Sequence, residues 1–143
     1  MSDRDLLGDL GAELVTPEVR RIGLGGLLDA LESRPGERAE DVLLDLKLVD
    51  DVRLALALAA RGGLPFQGLR AFVPDARLFL YVPLALAVEQ RLVPLALVGD
   101  TLALASAFLD PDLSYLRERF PGLALALVIS PRREILEALG RVG

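Results

Sequence analysis

Three short apolar runs in the second half of the chain predict strands. Leu92–Val98 and Thr101–Ala107 are separated only by Gly99 and Asp100, and such a two-residue link suits a tight hairpin because Gly accepts positive φ. The third run is Leu123–Ile129. We expect an antiparallel sheet in which Leu92–Val98 is central, with Thr101–Ala107 on one side and Leu123–Ile129 on the other.

Apolar residues at helical spacing predict helices that pack on this sheet. Between the second and third strands these residues are Leu109, Leu113, Leu116 and Phe120. A helix is expected after Pro83, and Pro131 opens a last helix, Arg132–Arg141. The segment from Gly63 to Pro74 is rich in residues that interrupt helices, so we expect an extended or irregular strap there.

The N-terminal part begins with a glycine-rich helical region. Thr16-Pro17-Glu18 predicts a helix start, because Thr caps, Pro fits the first turn and Glu favours the positive helix end. Three glycines lie in that helix and each costs about 1 kcal/mol relative to Ala, so a kink is expected near Leu24. They are Gly23, Gly25 and Gly26. These glycines could also be interpreted as part of a phosphate-binding loop. Such a loop needs a following Gly-Lys-Ser/Thr and a preceding strand, and both are missing from the sequence here, so close helix packing is the favoured interpretation.

A helical hairpin should follow the connector at residues 33–37. Its two helices are Glu40–Leu48 and Val52–Arg61, and the second ends at Gly62 and Gly63. An alternative interpretation is a cation site built from Asp41, Asp45, Asp50 and Asp51. Because these acids are spread over two helix starts, solvated caps are the favoured interpretation.

The pattern as a whole predicts an α+β fold in two parts. Residues 1–62 form a helical subdomain, and residues 63–143 form the three-stranded antiparallel sheet packed with helices. A chain of 143 residues is long enough to bury a core, and the two parts together fit one domain.

Composition favours a cytoplasmic globular protein. Apolar residues make up 52% of the chain, so a disordered protein is excluded. The longest apolar run, Leu78–Val88, falls well short of the roughly 20 residues that a membrane span needs. The first ten residues carry acids and lack the apolar block of a secretory signal. We therefore expect no membrane insertion.

The residue types that most enzymes and metal sites use are missing. The chain has no Cys and no His, which removes thiol nucleophiles, disulfides and the commonest general base and metal ligand. An enzyme that uses the carboxylates of Asp110, Asp112 and Glu118 is an alternative, although the two aspartates fit helix-start charges beside Pro111. We expect no catalytic residue, no metal site and no cofactor.

Charge narrows the range of partners. The net charge of −5 argues against nucleic acid and against anionic membranes, because both attract clusters of Lys and Arg. Lys47 is the only Lys, and Asn is absent. This usage is compatible with a heat-tolerant source, although a GC-rich genome would also favour Arg, Ala and Leu.

The order of segments from Gly63 onward resembles a known family. The matching segments are the Gly-Leu-Pro-Phe turn at Gly63–Phe66, a helix at Val82–Val88, a strand at Leu92–Leu95 and the end of a strand before the next helix at Phe108–Pro111. In this order they are similar to the N-terminal domain of the type II secretion and type IV pilus assembly ATPases. The resemblance implies that the partner is a protein component of a pilus or secretion machine.

In one branch of that family, two tandem copies of the pattern R-L-G-x-x-L-x-x-x-G-x-L-x-x-x-x-L-x-x-x-L-x-x-Q bind cyclic di-GMP. The resemblance implies a set of ligand-binding residues when the pattern is aligned on its Arg: Arg38, Leu43, Leu54, Leu58 and Arg61. Arg61 replaces the final Gln, and Glu40 and Lys47 replace the two Gly residues. A dianionic dinucleotide needs paired donors, so Arg38 and Arg61 should face the same pocket.

Two functions are therefore predicted. The leading one is a non-enzymatic module that docks on another component of the machine; the alternative is a cyclic di-GMP sensor. The chain has no G-x-x-x-x-G-K-[ST] pattern, so it does not hydrolyse ATP alone. Amides in residues 4–35 should exchange fastest and those of Leu92–Val98 and Leu123–Ile129 slowest, and a partner should protect the helical half, residues 1–62.

Overall fold

A computed structural model describes residues 26, 29, 32–34, 36–47 and 49–142. The predicted helix start at Thr16-Pro17-Glu18 and the kink near Leu24 lie outside the described residues. The chain divides into two compact units, Met1–Ala57 and Leu58–Gly143. The division into 1–62 and 63–143 as separate subdomains stays a prediction.

Two helices follow the connector, as the sequence predicts. Helix α1 covers Ala39–Asp45 and helix α2 covers Asp51–Gly62. Helix α1 ends earlier than expected, because Lys47 adopts a left-handed conformation with φ +56° that a helix cannot continue. Helix α2 begins after Asp50, whose Oδ2 accepts a hydrogen bond from the backbone N–H of Arg53 at 3.1 Å.

The C-terminal end of α2 is closed by a glycine. Gly63 has φ +63°, and its N–H donates to the carbonyl of Ala60. The N–H of Leu64 donates to the carbonyl of Ala59 at 2.9 Å. These bonds satisfy carbonyls that would otherwise lack partners at the helix end, and the left-handed position is the one that glycine favours.

The strap that follows adds a short piece of strand to the sheet. Phe66 forms a parallel bridge with Ile129. The N–H of Gln67 donates to the carbonyl of Ile129 at 2.9 Å, and the N–H of Ile129 donates to the carbonyl of Pro65 at 2.8 Å. Further along, Ala76–Leu80 forms a 3₁₀ helix that the sequence did not predict.

The predicted hairpin is confirmed. Strand β1 covers Leu92–Val98, strand β2 covers Thr101–Ser106, and the two pair antiparallel. Gly99 turns the chain with φ +60°, as the two-residue link requires. The register shifts between Pro94 and Ala96, so that Leu95 is the extra residue of a β-bulge.

The predicted strand order is wrong. Strand β3, Ala124–Ile129, pairs with β2 and not with β1, so the order is β1-β2-β3 and β2 is central. The β2–β3 pairing is parallel, which makes the sheet mixed rather than antiparallel. A helix stands between these two strands, and such a crossover returns the chain in the same direction. Pro94 in β1 also favours an edge, since proline cannot donate to a neighbouring strand.

Three helices complete the second unit. They are α3, α4 and α5, and they cover Leu84–Gln90, Ser114–Arg119 and Arg132–Leu139. The core combines buried residues of the sheet with residues of these helices, among them Leu104, Leu116 and Ile135. The α+β fold class is thereby confirmed. Among the described residues, no helix is long and apolar enough to cross a membrane.

Candidate functional site

The residues predicted to bind a dinucleotide are distributed over both units. Arg38, Leu43 and Leu54 belong to Met1–Ala57, whereas Leu58 and Arg61 belong to Leu58–Gly143. Arg38 is the N-cap residue of α1 and Arg61 lies in the last turn of α2, and both side chains are half-buried. A pocket shared by the two arginines stays a prediction.

The three leucines of the predicted site are core residues. Leu43, Leu54 and Leu58 are at most 2% exposed. Leucines at helical spacing bury themselves in any helical hairpin, so their burial fits a packing role as well as a role beside a ligand. The leucines alone therefore do not distinguish the two predicted functions.

The two positions where the family pattern has Gly differ in this chain. Lys47 is exposed and adopts φ +56°, the left-handed conformation that glycine favours. The backbone at this position thus has a conformation that glycine favours, although the residue is Lys. Glu40, by contrast, lies in the first turn of α1 and is 1% exposed. A buried carboxylate occupies this position in place of an open backbone.

Several of the acids named above as alternative sites serve helix starts and ion pairs. Asp50 caps α2 as described above, and Asp45 lies 3.8 Å from the guanidinium of Arg34. Asp112 Oδ1 accepts hydrogen bonds from the N–H and the hydroxyl of Ser114 at the start of α4. Within the described parts of the chain, no three Asp or Glu residues are arranged to hold a metal ion.

A groove of about 500 Å³ lies in the second unit between the 3₁₀ helix and β1, and we call it the β1 groove. Its main lining residues are Asp75, Arg77, Leu80, Tyr81, Leu95 and Leu97. The ring of Tyr81 packs edge-to-face on Phe120 with 5.0 Å between the ring centroids, which fixes one wall of the groove. The opposite wall comes from the bulged half of β1.

An ion pair stands at the rim of this groove. Asp75 accepts hydrogen bonds from Arg77 Nε at 3.1 Å and Nη2 at 2.8 Å, and from the backbone N–H of Arg77 at 3.0 Å. The side-chain hydrogen bonds from Arg77 hold the pKa of Asp75 below its ordinary value, with the backbone bond as a second cause. The same contact raises the pKa of Arg77. Both groups therefore stay charged at neutral pH.

Comparison with known protein families identifies the chain. Residues 62–143 match the MshEN domain. The chain belongs to the MshEN domain family. The match covers the strap, the whole mixed sheet and α3 to α5, and it therefore includes every residue of the β1 groove.

Solved structures of MshEN-like domains cover the remaining part as well. The structure of MshE with cdg, cyclic di-GMP, is 25% identical with a TM-score of 0.65, and the match covers 100% of this chain and 99% of that one. The N-terminal domain of XpsE gives 21% identity and a TM-score of 0.66, with 99% and 96% covered. A second crystal form of that domain gives 26% identity and 0.61, with 94% and 95% covered. No curated protein matches the chain.

These matches confirm the family resemblance noted in the sequence. The MshEN domain of this chain corresponds to an N-terminal domain and not to a motor domain. The β1 groove was not predicted from the sequence, and Arg77 was given no role there. A usable signal was present: Asp75 follows Pro74 directly, and Asp after Pro is typical of a cap at the start of a helical turn.

Proposed function

We propose that this MshEN domain is a non-enzymatic docking module that binds another protein component of a pilus or secretion machine in the cytoplasm. Membership of the MshEN domain family supports the assignment of the partner to such a machine. The acids that an enzyme would need are engaged at helix starts or exposed on the surface, which supports a role in binding rather than catalysis.

The observation that carries this proposal is the exposure of large apolar side chains in the second unit. Leu80 is 79% exposed and Leu97 is 37% exposed, and both line the β1 groove. Single exposed leucines are ordinary, but two that line one groove at the edge of a sheet are typical of a surface that a partner covers.

The distribution of charge also favours a protein partner. Residues 1–57 contain thirteen acidic and seven basic residues, whereas residues 58–143 contain eight acidic and nine basic residues. The part that carries Arg38 is thus strongly acidic. A dianionic dinucleotide would meet a repulsive field there, which favours the docking function over the sensor.

The test is a binding measurement with purified components. The full chain is immobilised and exposed in turn to each protein component of the pilus and secretion machines of its source, by biolayer interferometry. We expect one component to bind with saturable, salt-dependent kinetics, since acidic and basic surfaces are screened by salt. If no component binds at any salt concentration, the docking function is wrong.

Cyclic di-GMP binding is the second candidate function. Two observations favour it: the left-handed backbone at Lys47, where the family pattern has Gly, and the likeness to the structure of MshE with cdg. The buried Glu40 at the other Gly position works against it, because a carboxylate repels phosphates and fills space that the pattern leaves open.

Calorimetry separates the two candidates. If the chain is a sensor, wild-type protein releases or absorbs heat with cyclic di-GMP at high micromolar concentration, and Arg38→Ala removes the signal without unfolding the chain. Val73→Ser, a change at an exposed residue of the strap, serves as the control that should bind like wild type. Absence of heat with the wild-type protein would exclude the sensor.

A further inference from the structure

The β1 groove combines apolar walls with a fixed charge pair. Leu80 forms one wall with 79% of its surface exposed, and Leu97 on β1 forms part of the other with 37% exposed. Tyr81 also lines the groove, and its ring is held by Phe120. An apolar side chain entering the groove would remove both leucines from water at once.

The outer edge of β1 is poorly suited to backbone hydrogen bonds with a strand of a partner. The N–H of Ala107 donates to the carbonyl of Arg91, so Arg91 is in a hydrogen-bonded pair with β2. Hydrogen-bonded and non-hydrogen-bonded pairs alternate along antiparallel strands, and three residues later the backbone of Pro94 therefore points away from β2. Pro94 has no N–H to offer at that outward position, and the bulge at Leu95 interrupts the strand directly afterwards. Proline and bulges are the features that keep an edge strand from pairing with another strand.

The ion pair at the rim has hydrogen-bond donors left over. Asp75 receives four contacts, all from Arg77, which fill its two carboxylate oxygens. Arg77 gives Asp75 only the edge formed by Nε and Nη2. The opposite edge, formed by Nη1 and the second hydrogen of Nη2, has the geometry that binds a carboxylate in a bidentate manner. The rim can therefore still donate hydrogen bonds, and it would bind a group that accepts them.

From these three features we infer that the β1 groove binds a peptide segment of a protein partner through one large apolar side chain and one carboxylate. The apolar side chain inserts between Leu80 and Leu97, and the carboxylate pairs with the free edge of Arg77. This inference rests on the proposed docking function and names the chemistry of the partner. It also moves the docking surface from the helical part, which the sequence favoured, to the second unit.

The probe is a library of random peptides displayed on phage and selected on the immobilised full chain. Selected peptides are synthesised, and their affinities are measured by fluorescence polarisation. We expect them to share a large apolar residue near an Asp or Glu. Leu80→Ser should weaken their binding about tenfold or more, as is typical of central interface residues, and Arg77→Gln at the rim should weaken it measurably but less. Both side chains are exposed, so neither change should unfold the protein.

Two variants serve as matched controls. Val73→Ser removes an apolar residue that is 61% exposed and lies outside the groove. Arg133→Gln breaks another exposed ion pair, in which Nε lies 3.0 Å from Glu137 Oε1. Both should bind the selected peptides like wild type.

Several results would overturn the inference. They are a selection that yields no peptide above background, peptides without an acidic residue, and affinities that Leu80→Ser leaves unchanged. Self-association of the wild type that disappears in Leu80→Ser would assign the groove to a second copy of the chain instead. If a machine component binds wild type and both groove variants equally, the docking function stands and the groove is wrong. If peptides bind the groove but no machine component binds, the groove stands and the docking function is wrong.

Discussion

The carboxylate of Glu134 accepts a hydrogen bond from the backbone N–H of Leu69, with 2.7 Å between Oε1 and N. Leu69 belongs to the strap and is buried, whereas Glu134 lies in the first turn of α5. The guanidinium of Arg141, which follows α5, donates to the carbonyl of Phe72 at 3.1 Å. The strap that leads into the β1 groove is thus fastened to α5 and the residues after it by charged side chains.

Glu134→Ala should lower the free energy of unfolding by about 1–2 kcal/mol, because it leaves the N–H of a buried residue without its charged acceptor. Glu134→Gln keeps an oxygen acceptor and should cost less. Urea unfolding followed by circular dichroism measures both. Glu118→Ala on the exposed surface of α4 is the control and should change stability by less than about 0.5 kcal/mol. Equal losses for Glu134→Ala and Glu118→Ala would mean that this bond does not fasten the strap.

Lys47→Gly should stabilise the chain by about 0.5–1 kcal/mol. Lys47 has φ +56°, a conformation that costs L-residues energy and glycine none, and this gain exceeds the entropy that glycine loses on folding. Gly63→Ala is the reverse change at φ +63° and should destabilise by about 1–2 kcal/mol. Thermal unfolding of the two variants measures both shifts. Shifts of the same sign would contradict the backbone conformations.

The pKa of Asp75 should lie below its ordinary value, because Arg77 donates to its carboxylate. The pair is formed above the ordinary pKa of an aspartate and is lost only as the pH falls through the lowered value. A pH titration of the side-chain carboxyl signals by NMR measures this pKa. Arg77→Gln should raise it, whereas Arg133→Gln should leave it unchanged. An Asp75 that titrates alike in all three proteins would mean that the rim pair is absent in solution.

Amides of β2 should exchange more slowly with solvent than those of the other strands. Thr101–Ser106 is paired on both sides, whereas β1 is an edge with a bulge. The sequence favoured Leu92–Val98 as a slow strand, and its outer half, residues 96–98, should instead exchange quickly. Hydrogen exchange read out by NMR compares the strands directly. Faster exchange in β2 than in residues 96–98 would contradict the observed strand order.

Local patterns predicted the elements of the sheet well, and the pairing less well. The hairpin follows from two apolar runs and Gly99, both of which are short-range signals. The position of β3 depends on a crossover between distant segments, which no run of residues encodes by itself. Pro94 carried a usable signal, since a proline inside a strand favours an edge, and the central position given to that strand overlooked it.

The candidate site was harder to predict than the fold. The β1 groove joins Arg77 and Leu80 to Leu95 and Leu97, and these two pairs come from separate segments of the chain. Their meeting depends on a bulge, which shifts every later side chain of the strand and leaves no clear mark in the sequence. The repeat pattern, by contrast, singled out Lys47, whose backbone adopts the left-handed conformation that glycine favours.

The central claim is that this MshEN domain works by docking, through the β1 groove of its second unit. The most direct measurement is the difference in hydrogen exchange between the free full chain and the chain bound to the machine component found by interferometry. We expect new protection at residues 75–81 and 95–98. Protection confined to residues 4–57, with residues 75–81 and 95–98 unchanged, would contradict the account.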